Sequence, residues 1–250
     1  MHARTAEVVV PALVLTAILG VWEGLGRLLE IPAYVLPVPS NIASAITQPN
    51  ASVGIYAATT LLESGLGFVI GSLGGFILGI CVSEWRLVRL ALLPYIIGSN
   101  AVPVVAIAPL VLIWFGYGIV SKAMVSAFLC FFPLCVNTYR GMQSADAQLR
   151  ELFEIYGATP IQYMTKARLP FAVPYLFSGA KLNATYAVIG AIVGEFIGAS
   201  SGLGYGMIQS LYNTDGPRLW AYLVVAIGMG VFFYGIVWLV ELWYEVRYER

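Results

Sequence analysis

Few side chains in this 250-residue chain could do chemistry. His2 is the single histidine, so no Ser/His/Asp arrangement can assemble, and the carboxylates do not pair outside one polar interval. Cys81, Cys130 and Cys135 all lie inside apolar runs, where small core residues are the ordinary reading, so neither metal ligation nor a disulfide framework is implied. Lys122, Lys166 and Lys181 follow Ser121, Thr165 and Ala180, which leaves no G-x-x-x-x-G-K-[ST] loop for a nucleotide phosphate. Enzymatic chemistry is therefore not expected. What remains is the chemistry of passage, carried by polar groups set in apolar runs, and that of grip, carried by one charged segment with an apolar stripe.

The candidates for passage are Asn100, Pro103 and Lys181. From Leu90 to Ser121 no residue is charged, yet Pro94, Pro103 and Pro109 interrupt the run and Asn100 lies between the first two. Carbonyls freed by proline in a bilayer need partners or a wet cavity, so this broken span is expected to line a path. Lys181 falls about ten residues into a later apolar run, at 1.5 Å per residue. There it either faces a pathway shared with Asn100 and Pro103 or snorkels back to the interface.

The candidate for grip is Ser144 to Pro170, the longest polar interval in the chain. Leu149, Leu152, Phe153 and Tyr156 fall at i, i+3, i+4 and i+7 with Arg150, Glu151 and Glu154 on the flanks, which predicts a short amphipathic helix. Ser144 or Asp146 can cap its start, and Gly157 stands where a left-handed residue would end it. Thr159, Pro160 and Gln162 then predict a second helix opened by a capping box, with the pair ending at Leu169-Pro170. Such a projecting pair either is held by another protein or lies in the lipid headgroups.

The elements that must position these groups are membrane spans. Hydrophobic residues make up 60% of the chain, charged residues 10%, and the mean hydropathy is +0.84, a balance that implies an integral membrane protein. At about 20 residues per span the length allows roughly six helices in a single domain, residues 1–250, without a sizeable soluble part. Net charge is zero, so nucleic-acid binding is not supported. The run from Val8 continues past Trp22 without a cleavage site and reads as an uncleaved anchor. Ile31 to Pro39 is an outside loop, Ser40 could cap a short surface helix, and Gly198 to Gly206 is expected as a flexible outside loop. In the second span Gly67, Gly71, Gly75 and Gly79 recur every fourth residue, which predicts one close packing face. With both termini inside, Arg4, Arg86, Arg89, Arg140, Arg150, Lys166, Arg168, Arg247 and Arg250 are cytoplasmic against Arg27, Lys122 and Arg218 outside, as the excess of basic residues inside requires.

The polar interval resembles the cytoplasmic loop of ABC importer permeases, E-A-A, three residues, G, nine residues, I, one residue, L-P. Glu151, Gly157, Leu169 and Pro170 fall on that register, while Leu152 and Phe153 replace the paired alanines and Ala167 the isoleucine. Val35 to Ser40 (VLPVPS), Ala108 to Gly118 (APLVLIWFGYG) and Glu195 to Tyr205 (EFIGASSGLGY) extend the resemblance to the nitrate, sulfonate and taurine branch, which also includes carriers of thiamine-precursor pyrimidines and of riboflavin. The resemblance implies an all-α, six-span type I importer permease fold in the bacterial inner membrane. It also implies a homodimer, an extracytoplasmic solute-binding protein, and ATPase subunits that hold ATP and Mg. Those subunits would dock on Leu149, Arg150, Glu151, Leu152, Phe153, Tyr156, Gly157, Ala158, Leu169 and Pro170. The alternative is an ion-gradient-driven secondary transporter, which would call for intramembrane carboxylates and an inverted repeat; only Glu63 and Glu195, near span ends, could serve, and no two halves are alike.

Overall fold

The computed structural model describes residues 2–48 and 52–248, and every regular element among them is helical. Arg250, one of the basic residues used for orientation, lies outside the described residues. Eleven α-helices follow in order: α1 (His2–Leu28), α2 (Pro39–Thr47), α3 (Val53–Glu84), α4 (Arg86–Gly98), α5 (Val104–Phe115), α6 (Ile119–Gln143), α7 (Ala147–Ile155), α8 (Pro160–Tyr163), α9 (Leu169–Gly198), α10 (Leu203–Tyr212) and α11 (Gly216–Tyr248). Five stretches are long and apolar enough to cross a bilayer, namely Val9–Leu28, Val53–Glu84, Ile119–Gln143, Pro160–Gly198 and Gly216–Arg247. The sixth expected span is instead the pair α4 and α5, 13 and 12 residues long, each too short to cross alone.

The centre of the bundle is α6, with α3 on one side and α9 on the other. Glycine makes this possible on both faces. Gly67, Gly71, Gly75 and Gly79 are all buried, and a Cβ on any of them would collide with α6, at Ser126, Ala127, Phe131 or Thr138. From the other side Gly179, Gly190 and Gly194 of α9 meet Leu134, Ser126 and Lys122. Without side chains in the way the backbones come close enough for Ser126 Oγ to donate to Ala187 O at 2.9 Å and Asn183 Nδ2 to Cys130 O at 2.7 Å. Cys130 and Cys135 are buried in this seam as free thiols, and Cys81 is half-buried. Val188, Leu203, Met207, Tyr222, Ala226 and Met229 form a second core between α9, α10 and α11. By contrast α1 is apolar nearly all round, with only 6% of its most apolar stretch buried, as a helix facing lipid should be.

Several local expectations give way to longer-range chemistry. Ser40 is not a cap: Val38 precedes the first turn of α2, and Ser40, one residue inside, donates from N and Oγ to Glu23 of α1 at 3.0 and 2.8 Å. Trp85 alone separates α3 from α4, so Arg86 and Arg89 already lie in α4. Pro94 and Pro109 sit inside α4 and α5, and only Ser99 to Pro103, a 3₁₀ turn followed by extended Val102 and Pro103, interrupts the run. Residues 203–206 begin α10 rather than a loop. Tyr222 is buried against Tyr56, with ring centroids 5.7 Å apart.

Candidate functional site

Three places in the bundle hold the polar groups that an apolar chain would otherwise exclude. The first is α7 and α8 with the link between them. Asp146 caps α7 by accepting from Gln148 N at 3.4 Å. At the other end Gly157 takes φ +68°, so that its N–H reaches Glu154 O at 3.0 Å and Ala158 N reaches Phe153 O at 2.9 Å, the two bonds of a Schellman stop. Thr159 and Gln162 close the capping box, with bonds of 2.8 and 3.3 Å. Leu169-Pro170 does not end this pair. A π turn at Met164–Arg168, in which Leu169 N donates back five residues to Met164 O, carries α8 directly into α9. Proline cannot donate, and its ring crowds the carbonyl four residues back; the widened turn lets the helix pass Pro170 unbroken.

The apolar stripe of α7 divides between two directions. Leu149 and Phe153 are half-buried, and Phe153 packs on Tyr163 with centroids 5.5 Å apart. Leu152 turns outward, and with it Ile155 at 80% exposure, Tyr156 at 81% and, from α8, Ile161 at 75%. Ile155 and Ile161 were not in the predicted set; their signal was the i+3 step from Leu152 and the position just inside the capping box. Arg150 and Glu151 are exposed, and Arg150 Nε pairs with Glu154 at 3.0 Å. Arg168 ties the pair to the bundle by bonding Glu84 at the end of α3 and Met142 O at the end of α6. Between pair and bundle lies a polar cavity of about 740 Å³ walled in part by Arg89, Arg150, Arg168 and Glu84.

The second place is the break between α4 and α5. A cavity of about 230 Å³ opens there, walled by Ser99, Val102 and Val104 from the break, Phe128, Leu129, Phe132 and Pro133 from α6, and Tyr186 and Ile189 from α9. Pro103 lies beside it and is exposed; Asn100 lies in the 3₁₀ turn itself. Lys181 does not join them. Its ammonium is paired with Glu241 of α11, two partly buried groups that tie α9 to α11. Of the three residues expected to share one cavity, Lys181 is held at α11, while Asn100 and Pro103 stand at the break. The physical reason is a carboxylate on the last helix that offers the lysine a closer partner than the break does.

The third place was not anticipated. Glu63, Lys122 and Glu195, from α3, α6 and α9, are each 2% exposed and meet at the end of the bundle opposite α7 and α8. Glu195 accepts from Thr60 Oγ1 and from Gly204 N, both at 2.6 Å, while Leu203 N donates to Thr60 Oγ1 at 2.8 Å. A carboxylate from α9 and a hydroxyl from α3 therefore cap the first turn of α10. Gly202 takes φ +116° against this carboxylate, where any Cβ would overlap it. Lys122 donates to Tyr117 O at 2.7 Å. The visible signal was three charges, each in a different apolar run, with a glycine-rich stretch just after the last.

Comparison with known proteins agrees with this architecture. The family model described as "Binding-protein-dependent transport system inner membrane component" matches residues 67–245. The chain is 33% identical over 229 residues to the formylaminopyrimidine transport permease protein ThiX of Halalkalibacterium halodurans, covering 91% of each. It is 30% identical over 210 residues to the putative aliphatic sulfonates transport permease protein SsuC of Bacillus subtilis, covering 83% of this chain and 76% of that one. Among solved structures it is similar in fold to an amino acid ABC transporter crystallised with histidines, with a TM-score of 0.59 at 19% identity over 73% of this chain and 89% of that one. The α3–α11 bundle and its glycine-lined seams are the body of a transport protein, and the chain belongs to the family of binding-protein-dependent transport system inner membrane components, the permeases of ABC importers.

Proposed function

We propose that this permease couples ATP hydrolysis on a partner to solute import through the α7–α8 pair. The observation that carries the reading is the outward apolar face of Leu152, Ile155, Tyr156 and Ile161 on a helix pair whose two inner ends are fully capped. A surface stiffened by a Schellman stop and a capping box, yet apolar where it meets water, fits a groove on another protein. That protein is a cytoplasmic ABC ATPase, which holds the ATP and Mg. This chain supplies no nucleotide site, two copies of it form the pathway, and an extracytoplasmic binding protein delivers the solute. Both termini are then cytoplasmic, and the α4–α5 pair serves as the sixth passage across the bilayer. The docking set is Leu149 to Phe153, Tyr156 to Ala158 and the Leu169-Pro170 step, extended here by Ile155 and Ile161.

The solute belongs to the class carried by the named relatives, a small pyrimidine or a sulfonate, with a flavin as the larger member that the sequence resemblance implies. Co-expression with the ATPase, in membranes, tests the docking assignment. Ile155→Glu and Tyr156→Asp should abolish co-purification of the ATPase while the amount of inserted permease stays at the parental level. Retention of the ATPase by both variants would place the coupling surface elsewhere.

A further inference from the structure

We propose that the polar cavity between the α7–α8 pair and the bundle seats the phosphodiester of an anionic phospholipid. The inference goes beyond the importer reading and rests on it only for which leaflet supplies the lipid. Charge on the wall carries it. Arg89, Arg150 and Arg168 face two carboxylates, Glu84 and Glu154, which leaves one positive charge in excess. Both carboxylates are already engaged, Glu84 by Arg168 and Glu154 by Arg150 Nε at 3.0 Å. Arg89 is the guanidinium left over. It is half-buried in the first turn of α4, and among the described residues it has no hydrogen bond or ion pair. Five N–H donors without an acceptor call for an anion or for water, and water does not supply the missing charge. The same wall has donors to spare. Arg168 spends Nε on Met142 O and Nη1 on Glu84, which leaves Nη2; Arg150 spends only Nε; and Tyr163 brings a hydroxyl. A phosphodiester matches this set because it offers its unesterified oxygens on a single negative charge. A dianionic phosphate monoester would leave the cavity with charge of the opposite sign.

Position selects a lipid over a soluble anion. The cavity lies where α3 and α6 end and α4 begins, with Glu84 the last residue of α3 and Arg89 in the first turn of α4. Between these two wall residues Trp85 is 59% and Leu87 82% exposed, large apolar side chains without protein cover at the edge of the cavity. Apolar surface of this kind faces acyl chains, and tryptophan is enriched at the level of the headgroups. A basic pocket between spans at that level, on the cytoplasmic side, is where anionic headgroups bind. The ATPase is held on a different surface. Arg150, Phe153 and Glu154 form the side of α7 that walls the cavity, while Leu152, Ile155 and Tyr156 turn outward.

The test takes the intact permease–ATPase complex from nanodiscs of equal phosphatidylcholine and phosphatidylglycerol and identifies the lipids it retains by native mass spectrometry. Preferential retention of phosphatidylglycerol is expected. Arg89→Gln should lower that preference about tenfold, the factor that one charge-assisted hydrogen bond is worth at the least. Arg89→Lys keeps the charge and loses the planar fork, and should fall between the two. Arg86→Gln removes an equal charge from the exposed start of α4, off the cavity wall, and should change nothing. Thermal stability and bound ATPase are read on the same samples and are expected at the parental level. No preference for phosphatidylglycerol, an unchanged preference in Arg89→Gln, or equal losses from Arg86→Gln and Arg89→Gln would overturn the assignment. So would loss of the ATPase from Arg89→Gln, which would give the cavity to that partner. A last arm adds inorganic phosphate to discs of phosphatidylcholine alone: phosphate bound there through Arg89, with no phosphatidylglycerol retained from the mixed discs, would replace the lipid by a soluble anion. If the parental permease itself fails to hold the ATPase, the importer reading falls, and lipid retention by the permease alone still decides the site.

Discussion

The two ends of the bundle treat their polar groups in opposite ways. At one end Glu63, Lys122 and Glu195 are withdrawn almost completely from the surface, and the polar atoms of Thr60, Leu203, Gly204 and Tyr117 are drawn in with them. At the other, α7 and α8 keep their charges outside and turn Ile155, Tyr156 and Ile161 out as well. The first end satisfies nearly all of itself: four elements meet there, each buried donor that has been named finds its acceptor within the chain, and Glu63 Oε2 is left as a buried oxygen without a hydrogen-bond partner. The second satisfies only its own helix ends. A polar network closed to solvent holds the fold, whereas an open apolar face on capped helices is a surface for another molecule. Substitutions at the first end should therefore cost stability, and those at the second should cost association.

The largest effect is expected at the closed end. Glu195→Leu removes the acceptor of two buried bonds at once and leaves the Lys122 ammonium with one fewer carboxylate. Breaking such a buried set costs about 3–5 kcal/mol. The folded yield in mild detergent and the midpoint of thermal unfolding should both fall steeply. Gly202→Val should approach this loss by a different route, forcing a β-branched residue to φ +116° and into the same carboxylate. Parental stability in both variants would show that the cluster is incidental to the fold.

Next in size is the seam between α3 and α6, where Gly71→Leu and Gly75→Leu should destabilise the fold by about 1–3 kcal/mol or more and so lower the yield of folded protein, since even a Cβ meets the Ala127 or Phe131 carbonyl. Leu66→Ala on the same helix trims a side chain that is 42% exposed and should do little. Equal yields for all three would detach the glycine row from packing.

How much of this was legible in the sequence follows the range of the interaction. The caps at Asp146, Gly157, Thr159 and Gln162 are local bonds between residues two to five apart, so residue types in order suffice to place them. The glycine row was readable because it repeats on one helix face, although nothing in it names α6 as the partner. Long-range pairings were not readable. Glu241 lies 60 residues beyond Lys181, and Glu63, Lys122 and Glu195 come from three separate runs; an intramembrane charge announces that it needs a partner without saying which. Proline misled in the other direction. Pro94 and Pro109 are absorbed into α4 and α5, and Pro170 into a helix widened by a π turn, because membrane helices accommodate a lost bond by local rearrangement.

At the open end the effect on stability should be smaller, and on function larger. Gly157→Pro deletes the N–H that reaches Glu154 O and forbids φ +68°. Only the α7–α8 link should reorganise, at a cost of about 1–3 kcal/mol confined to that link. The bundle should unfold at the parental temperature while ATPase association and ATP-driven uptake are lost. A fall in the unfolding temperature as large as that of Glu195→Leu would mean that the pair is part of the folded core after all.

The smallest effect is expected at Arg150, whose pairing with Glu154 is exposed on both sides, 69% and 64%, with the arginine N-terminal to the glutamate. That order opposes the helix dipole, and an exposed i,i+4 pair contributes about 0.3–0.5 kcal/mol at best. Arg150→Ala should thus leave thermal stability unchanged within error, at low and at high salt alike. The residue nevertheless borders the polar cavity between the pair and the bundle, where Arg168 and Glu84 are also found. If it serves only as helix surface, ATPase association should survive the substitution while Tyr156→Asp abolishes it. If Arg150→Ala weakens association in a way that added salt reproduces in the parent, the outward face works by charge as well as by apolar contact, and the contrast between the two ends is one of exposure rather than of chemistry.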